Sequence, residues 1–142
     1  MAALHKTAYK GTVVLANGVF DIFHIGHLHY LQECRAMGDT LVVSVTLNEY
    51  VRKGDARPFF DAHERGEIVR ALAIVDEVIL VRGLLEAMQQ VGPDIVVKGK
   101  DYKGKIKASH MAYCKDNDIE VRYTDTMLAS STELIKRGFR GG

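Results

Sequence analysis

The sequence predicts an α/β fold, a three-layer doubly wound sandwich in which helices cover both faces of a five-stranded parallel sheet. Short apolar runs alternate with helical patterns along the whole chain. The runs are continuously apolar, which is typical of strands buried on both faces. A helix after each run supplies the right-handed crossover that parallel strands require. These three observations together indicate the parallel sheet.

Five short apolar runs are the predicted strands. In chain order they are TVVLA (12–16), LVVSV (41–45), EVILV (77–81), DIVVKG (94–99) and EVRYT (120–124). No internal repeat, linker or low-complexity stretch interrupts the alternation, so we expect all of these elements in one domain. Ligands of such sheets bind at the carboxyl ends of the strands, near the point where the strand order reverses.

Helical patterns fill the intervals between the runs. The predicted helices cover residues 27–37, 61–74, 84–91 and 106–116, and a last helix begins near Ser130 or Ser131. Asp61 and Glu64 have the spacing of a capping box and mark the start of the second helix. Gly38 closes the first helix, and the pair Gly92–Pro93 ends the third.

Length and composition indicate one ordinary globular domain. The 142 residues suffice for a single core, and we expect flexible ends at 1–11 and 139–142. A formal net charge of +1 gives no general reason to expect nucleic acid or an anionic membrane as a partner. No run approaches the ~20 apolar residues of a spanning helix, and no secretory signal is visible. Cys34 and Cys114 lie far apart, so reduced thiols and a cytoplasmic location are expected.

The stretch GVFDIFHIGH (18–27) leaves the first predicted strand and enters the first helix, where the ligand of such a sheet is expected. A helix N-terminus offers unpaired N–H groups and a partial positive charge to a phosphate. Gly18 and Gly26 would let the backbone come close to it. His24 and His27 stand three residues apart and can face the same side. Their imidazoles could donate hydrogen bonds to phosphate oxygens as charge develops in a transition state.

Other interpretations of these histidines stay open at this point. A single histidine beside an apolar segment is more often a structural residue than a catalytic one. His24, His27 and His29 could bind a metal, but no cysteine or carboxylate stands beside them at a familiar ligand spacing, so we expect no metal held by the protein. The glycines do not form the G-x-G-x-x-G pattern of a dinucleotide site.

The longer stretch GVFDIFHIGHLHYL resembles the signature of the cytidylyltransferase-like nucleotidyltransferases, and the likeness runs from about Thr12 to Arg137. The family's H-x-G-H histidines contact a triphosphate and stabilise the transition state at its α-phosphorus. KGDARP followed by ER resembles the adenylyltransferase domain of bacterial ADP-heptose synthases. VDEVILV, PDIVVKGKDYKG and SSTELIK resemble segments shared with glycerol-3-phosphate cytidylyltransferases, but the RT-x-G-I run of those enzymes is replaced by TDTMLA.

The resemblance implies a Rossmann-like fold and a set of site residues. The implied catalytic residues are His24, His27, Lys53 and Arg65. The implied nucleotide-binding residues are Asn17, Gly18, Val19, Phe20, Gly26, Arg57, Lys98, Gly99, Asp101, Ser130, Ser131 and Thr132. These residue types suit a phosphate site, because cations neutralise phosphate charge and hydroxyls at a helix start form a second anion site. The competing interpretations are solvated loop charges, an ion pair for the arginine, a turn residue for the aspartate and ordinary helix capping.

The resemblance further implies transfer of a nucleoside monophosphate from an NTP to a phosphorylated sugar, with release of pyrophosphate. ATP and heptose 1-phosphate are favoured, and CTP with glycerol 3-phosphate is the alternative. Mg²⁺ would bridge the phosphates, and a homodimer is expected. From a different class, the chain could be a nucleotide-binding regulatory protein.

Overall fold

The computed structural model describes residues 9–51 and 58–125. They contain five parallel strands in the spatial order β3-β2-β1-β4-β5. The strands are β1 (Val13–Gly18), β2 (Thr40–Thr46), β3 (Glu77–Val81), β4 (Ile95–Lys98) and β5 (Glu120–Tyr123). Every predicted strand is present within two residues of its predicted bounds, so the parallel sheet is confirmed.

Four helices connect these strands. They are α1 (Ile25–Arg35), α2 (Ala62–Arg70), α3 (Leu84–Val91) and α4 (Ala108–Asp116). Short 3-10 turns follow β2 and β4 at Asn48–Tyr50 and Lys100–Tyr102. The predicted capping box of α2 is confirmed, because Asp61 and Glu64 exchange side chain to backbone hydrogen bonds of 2.9 and 3.2 Å.

Four helix boundaries differ from the prediction by two residues or more. The first helix begins two residues earlier, at Ile25, because a histidine caps it, and it ends two residues earlier, at Arg35, with Ala36 and not Gly38 as the C-cap. The second ends at Arg70, since the bonds from Leu72 to Val69 and from Val75 to Leu72 form tight turns that lead into β3. The fourth starts at Ala108. The helix predicted near Ser130 lies outside the described residues.

Two apolar clusters fill the space between the sheet and its helices. One joins α1 and α2 to the sheet through Leu31 and Val69, and the other joins α3 and α4 through Met88 and Cys114. Helices therefore cover both faces, and the predicted doubly wound fold is confirmed. The chain winds outward from β1 to β3 and then returns to β4, so the strand order reverses between β1 and β4. A ligand is expected at the carboxyl ends of these two strands.

The residues just before β1 contact the rest of the fold. Tyr9 packs against the cluster of α3 and α4, and the carbonyl of Lys10 accepts a hydrogen bond from Thr40 Oγ1 at 2.8 Å. As for membrane insertion, no helix within residues 9–51 and 58–125 is long and apolar enough to cross a bilayer.

A carboxylate at the amino end of the sheet ties three elements together. Asp76 Oδ2 accepts hydrogen bonds from the backbone N–H of Leu41 at 2.8 Å and from Arg35 Nη1 at 2.6 Å. Burial works to raise the pKa of the Asp76 carboxyl, but these two donors hold the pKa below its ordinary value. The ionised form is therefore favoured by folding.

The lowered pKa of Asp76 gives a pH dependence of stability. Its contribution is present at neutral pH and is lost as the pH falls below about 4, through the lowered pKa. We expect wild type to lose up to about 1 kcal/mol more unfolding free energy on acidification than Asp76→Asn, since the pair is partly exposed. Urea unfolding over a pH series measures this, with the exposed Asp116→Asn as control. A wild-type pH profile in Asp76→Asn would contradict the prediction.

Candidate functional site

The connection between β1 and α1 lies at the predicted ligand edge and has an unusual backbone. Phe20 and Ile22 have φ angles of 54° and 50°, in the left-handed region that bulky side chains rarely adopt. Such residues cost about 1–3 kcal/mol each and are concentrated at functional sites. Gly18 was expected to let the backbone approach a ligand. The space beside it is occupied instead by the Phe20 ring, which a Cβ on Gly18 would meet at 2.9 Å.

His24 and His27 form the capping box of α1. His24 is the N-cap, and its Nδ1 accepts a hydrogen bond from the backbone N–H of Gly26 at 3.1 Å. His27 Nδ1 accepts from the backbone N–H of His24 at 3.2 Å, and the two rings are stacked with centroids 3.8 Å apart. Because each Nδ1 is an acceptor, the proton of each neutral ring is on Nε2. Both histidines therefore carry an Nε2–H donor at the helix start.

Aromatic side chains hold the His27 ring in place. The Phe20 and Phe23 rings lie 5.4 and 5.3 Å from it, centroid to centroid. Phe20 is buried and also packs against Tyr30, one turn further along α1. The Tyr30 hydroxyl donates to the carbonyl of Val97 and accepts from the backbone N–H of Asn17 at 3.4 Å. Tyr30 thus fixes α1 against both strands at which the order reverses.

A row of polar side chains crosses the carboxyl ends of β4, β1 and β2. Lys98 Nζ donates to Asn17 Oδ1 at 3.2 Å, and Asn17 Nδ2 donates to Ser44 Oγ at 2.8 Å. The ammonium also lies 4.4 Å from the centroid of the Tyr102 ring. Lys98 is only 8% exposed, and burial lowers its pKa to about 8, although the negative charge of Asp101 works against this shift.

Arg65 lies fully buried beneath the β1–α1 connection. Its Nε donates to the carbonyl of Phe60 at 2.9 Å, its Nη1 to the carbonyl of Val19 at 2.8 Å, and its Nη2 to Asn48 Oδ1 at 2.7 Å. These bonds use three of its five N–H groups. Burial lowers the pKa of the guanidinium, and nearby carboxylates partly offset this. The described contacts of Arg65 are therefore with the chain itself, and they join three segments of the site.

Asp21 is a residue to which the sequence analysis gave no role. Its carboxylate is buried and accepts hydrogen bonds from the backbone N–H groups of Phe59 at 2.8 Å and Phe60 at 3.1 Å. It therefore anchors the segment before α2 to the β1–α1 connection. The one signal in the sequence was an acidic residue flanked on both sides by apolar ones, in VFDIF.

The other expected site residues fall into two groups. Gly99 and Asp101 lie at the carboxyl end of β4, where Asp101 is exposed. Lys53, Arg57, Ser130, Ser131 and Thr132 lie outside the described residues. In the described part of the chain, no group of three His, Cys, Asp or Glu side chains could hold a metal ion.

The arrangement is suited to binding phosphate. The N–H groups at the start of α1, the two Nε2–H donors and the Lys98 ammonium all lie at the carboxyl ends of β1 and β4. Donors fixed in this way stabilise negative charge without reorganising when it develops. Fixed donors of this kind suit transfer between bound phosphates, which needs positioning and charge stabilisation.

Comparisons with known proteins identify the family of the chain. Residues 15–137 match the sequence model of the cytidylyltransferase-like family. The bifunctional protein HldE of a Nitratiruptor species is 38% identical over 142 residues, covering 96% of this chain but 29% of the relative. The FAD synthase of Thermococcus onnurineus is 41% identical over 104 residues, covering 70% of this chain and 69% of the relative. The chain thus spans less than a third of the length of HldE.

Two solved structures share the fold of this chain. The crystal structure of a lipopolysaccharide core biosynthesis protein from Thermoplasma volcanium superposes with a TM-score of 0.69 and 32% identity, over 82% of this chain and 99% of the other. Pantothenate synthetase from Thermus thermophilus superposes with a TM-score of 0.60 over 87% of this chain and 59% of the other. At 18% identity this second likeness shows a shared fold alone.

Proposed function

The chain belongs to the cytidylyltransferase-like family of nucleotidyltransferases, and on that premise we propose that it transfers a nucleoside monophosphate from an NTP to a phosphorylated small molecule. An oxygen of the acceptor phosphate forms a bond to the α-phosphorus, the bond from that phosphorus to the bridging oxygen breaks, and pyrophosphate leaves. The observation that carries this proposal is the histidine capping box at the start of α1. It places two ring N–H donors where a helix N-terminus already favours phosphate.

His24 and His27 act on the developing charge. Their Nδ1 atoms are engaged by the backbone, so their Nε2–H groups are the donors offered to the phosphates. As the α-phosphorus becomes five-coordinate, negative charge grows on its oxygens and on the leaving pyrophosphate, and these bonds strengthen. The stacking of the rings and the packing of Phe20 and Phe23 keep the donors in place before substrate arrives.

Other residues hold the substrates or position the histidines. Lys53 and Arg57 neutralise the β- and γ-phosphates, and Ser130, Ser131 and Thr132 form the second anion site. Asn17, Gly18, Val19, Phe20, Gly26, Lys98, Gly99 and Asp101 line the nucleotide site. Arg65 acts chiefly as a positioning residue, since its guanidinium holds the Val19 carbonyl next to the motif. Asp21 positions the segment before α2 in the same way.

Mg²⁺ enters this scheme with the nucleotide. The described residues contain no dedicated metal site, and Mg²⁺ characteristically keeps several waters and binds through substrate phosphates. When bound, it would neutralise charge on the triphosphate. The chain's own contribution is the set of donors described above.

The acceptor is proposed to be a heptose 1-phosphate and the nucleotide ATP. The likeness to HldE and the KGKDY segment support this choice. A flavin phosphate is the second candidate acceptor, because the chain matches an FAD synthase over about two thirds of both chains. Either acceptor would give an adenine-containing product. Glycerol 3-phosphate with CTP is the further alternative.

A substrate panel tests these assignments. We expect kcat/KM to be about tenfold or more higher with ATP than with CTP, because a base that leaves buried polar groups unpaired is rejected. Pyrophosphate release is measured with both nucleotides against heptose 1-phosphate, flavin mononucleotide and glycerol 3-phosphate. A His27→Gln chain is the control that ties the activity to this site.

Three outcomes of the panel would change the assignment. A higher kcat/KM with CTP would overturn the choice of ATP but leave nucleotidyl transfer intact. If flavin mononucleotide were the only acceptor turned over, the assigned acceptor would change from a sugar phosphate to a flavin phosphate. Binding of ATP without pyrophosphate release in any pair would identify a regulatory protein.

We also propose a cytoplasmic homodimer. Both cysteines, Cys34 and Cys114, are free thiols, as expected in a reducing compartment. Phe59 and Phe60 just before α2 and Ile68 on α2 expose large apolar side chains, which suits self-association. Light scattering on the eluting protein measures the mass of the assembly.

A further inference from the structure

Lys98 is a buried cation whose ammonium is not paired with a carboxylate in the part of the chain that the structure describes. Within residues 9–51 and 58–125, no carboxylate oxygen lies within 4.0 Å of its ammonium. The nearest described partners of Nζ are the Asn17 amide oxygen and the Tyr102 ring, which are both neutral. An ammonium taken out of water without an opposite charge destabilises a fold, so its presence calls for another explanation.

The position of Lys98 supplies that explanation. On the sheet face covered by α3 and α4, the strand interiors are apolar, with Leu15, Val42 and Val96 fully buried. Two residues further along each of these strands, the same face changes to Asn17, Ser44 and Lys98. The change occurs where the strands reach the ligand edge, and one hydrogen-bonded row joins the three side chains.

We propose that Lys98 binds a phosphate oxygen at the reacting centre, and that Asn17 and Ser44 position its ammonium for this. The inference rests on the proposed nucleotidyl transfer, which brings two phosphates together at this edge. Either the α-phosphate of the NTP or the phosphate of the acceptor has the required chemistry. A bound phosphate supplies the negative charge that the buried ammonium lacks.

The hydrogen-bonded row of Lys98, Asn17 and Ser44 is fixed relative to His24 and His27. Tyr30, one turn beyond His27 on α1, bonds the backbone of Asn17 and the carbonyl of Val97. The side chain of Asn17 accepts the hydrogen bond from the Lys98 ammonium, and Val97 precedes Lys98 in the chain. The ammonium and the Nε2–H donors are thus held by one rigid junction, as a shared phosphate site requires.

The charge of Lys98 depends on pH in the range of an assay. Burial lowers its pKa to about 8. The charged or titratable groups that face it are Asp101 and Tyr102 on the turn after β4 and His110 on α4. Since a bound phosphate favours the ammonium, binding takes up protons near pH 8 and weakens above it.

The test compares Lys98→Met with wild type and with Lys115→Met, a control at an exposed position of α4. We expect Lys98→Met to be at least as stable to urea as wild type, because it replaces a buried charge, which no described carboxylate contacts, by an apolar chain of similar length. We expect its kcat/KM to fall about ten- to a hundredfold, the effect of losing a hydrogen bond to a charged group. Lys115→Met should match wild type in both measurements.

Calorimetry adds a readout that does not depend on turnover. ATP and heptose 1-phosphate are titrated separately, at about pH 8, in buffers of different ionisation enthalpy. Wild type should take up protons with whichever phosphate meets Lys98, and Lys98→Met should lose that uptake. Lys98→Arg keeps a charge that does not titrate here, so it should retain activity and lose the fall in kcat/KM above about pH 8.

The outcomes separate this inference from the proposed function. Proton uptake and kcat/KM within about twofold of wild type in Lys98→Met would overturn the inference and leave nucleotidyl transfer standing. The inference would also be overturned if Lys98→Met lost much of its stability and Lys98→Arg still showed the wild-type fall in kcat/KM above about pH 8. If wild type binds neither ATP nor CTP and none of the phosphorylated acceptors of the panel, the proposed function itself fails.

Discussion

Replacing His24 by Asn, or His27 by Gln, is expected to lower kcat about 100- to 1,000-fold while the affinity for ATP changes little. These variants are chosen because each keeps the capping box of α1. Asparagine is a favourable N-cap, and glutamine can accept at the third helical position as His27 does. What they remove is the ring Nε2–H. The loss should therefore appear in the transition state, where charge develops, and not in the ground state.

Two further variants separate catalysis from capping. His24→Ala removes the cap as well, so it should cost about 1 kcal/mol of unfolding free energy in addition to the loss of turnover. His29→Ala changes an exposed histidine of the same helix and should behave as wild type. The measurements are single-turnover rates, ATP affinity by calorimetry and urea unfolding. Turnover within a few-fold of wild type in His24→Asn and His27→Gln would show that the pair only caps the helix.

Removal of the Arg65 side chain should have the largest effect on stability. Arg65→Ala leaves the carbonyls of Val19 and Phe60 and the amide oxygen of Asn48 without their donor, and it opens a cavity. It also takes away a positive charge that acts on the buried Asp21. Breaking a buried network of this kind costs about 3–5 kcal/mol, which is a large part of a domain's stability.

Arg70→Ala is the matched control, since Arg70 lies on the same helix and is exposed. It should change the unfolding free energy by no more than about 0.5 kcal/mol. Arg65→Lys keeps the charge but cannot place three donors in a planar fork, so it should lie between wild type and Arg65→Ala. Urea unfolding measures all three. An Arg65→Ala chain as stable as Arg70→Ala, with weakened ATP binding, would instead make Arg65 a phosphate ligand.

The architecture was predictable because its signals are local. Continuous apolar runs marked five strands, and the third helix was placed at its observed bounds, 84–91. Asp61 and Glu64 marked the start of α2 by side chain to backbone bonds that span three residues. A phosphate site between β1 and α1 could be expected because the end of a strand and the start of a helix adjoin there in sequence as well as in space.

The tertiary structure decided which side chains act together at that site. Lys98 and Asn17 are 81 residues apart, and Arg65 and Val19 are 46 apart, so no local pattern could pair them. Their contacts depend on the strand order, which places β4 beside β1, and on α2 lying over the same face as α1. The sequence by itself determined the elements, the parallel sheet and the edge at which a ligand binds, since these follow from residue periodicity and capping. Only folding determined that Arg65 and Asp21 are buried beneath the site and that the buried ammonium of Lys98 contacts no carboxylate among the described residues, because burial and charge pairing depend on neighbours distant in sequence.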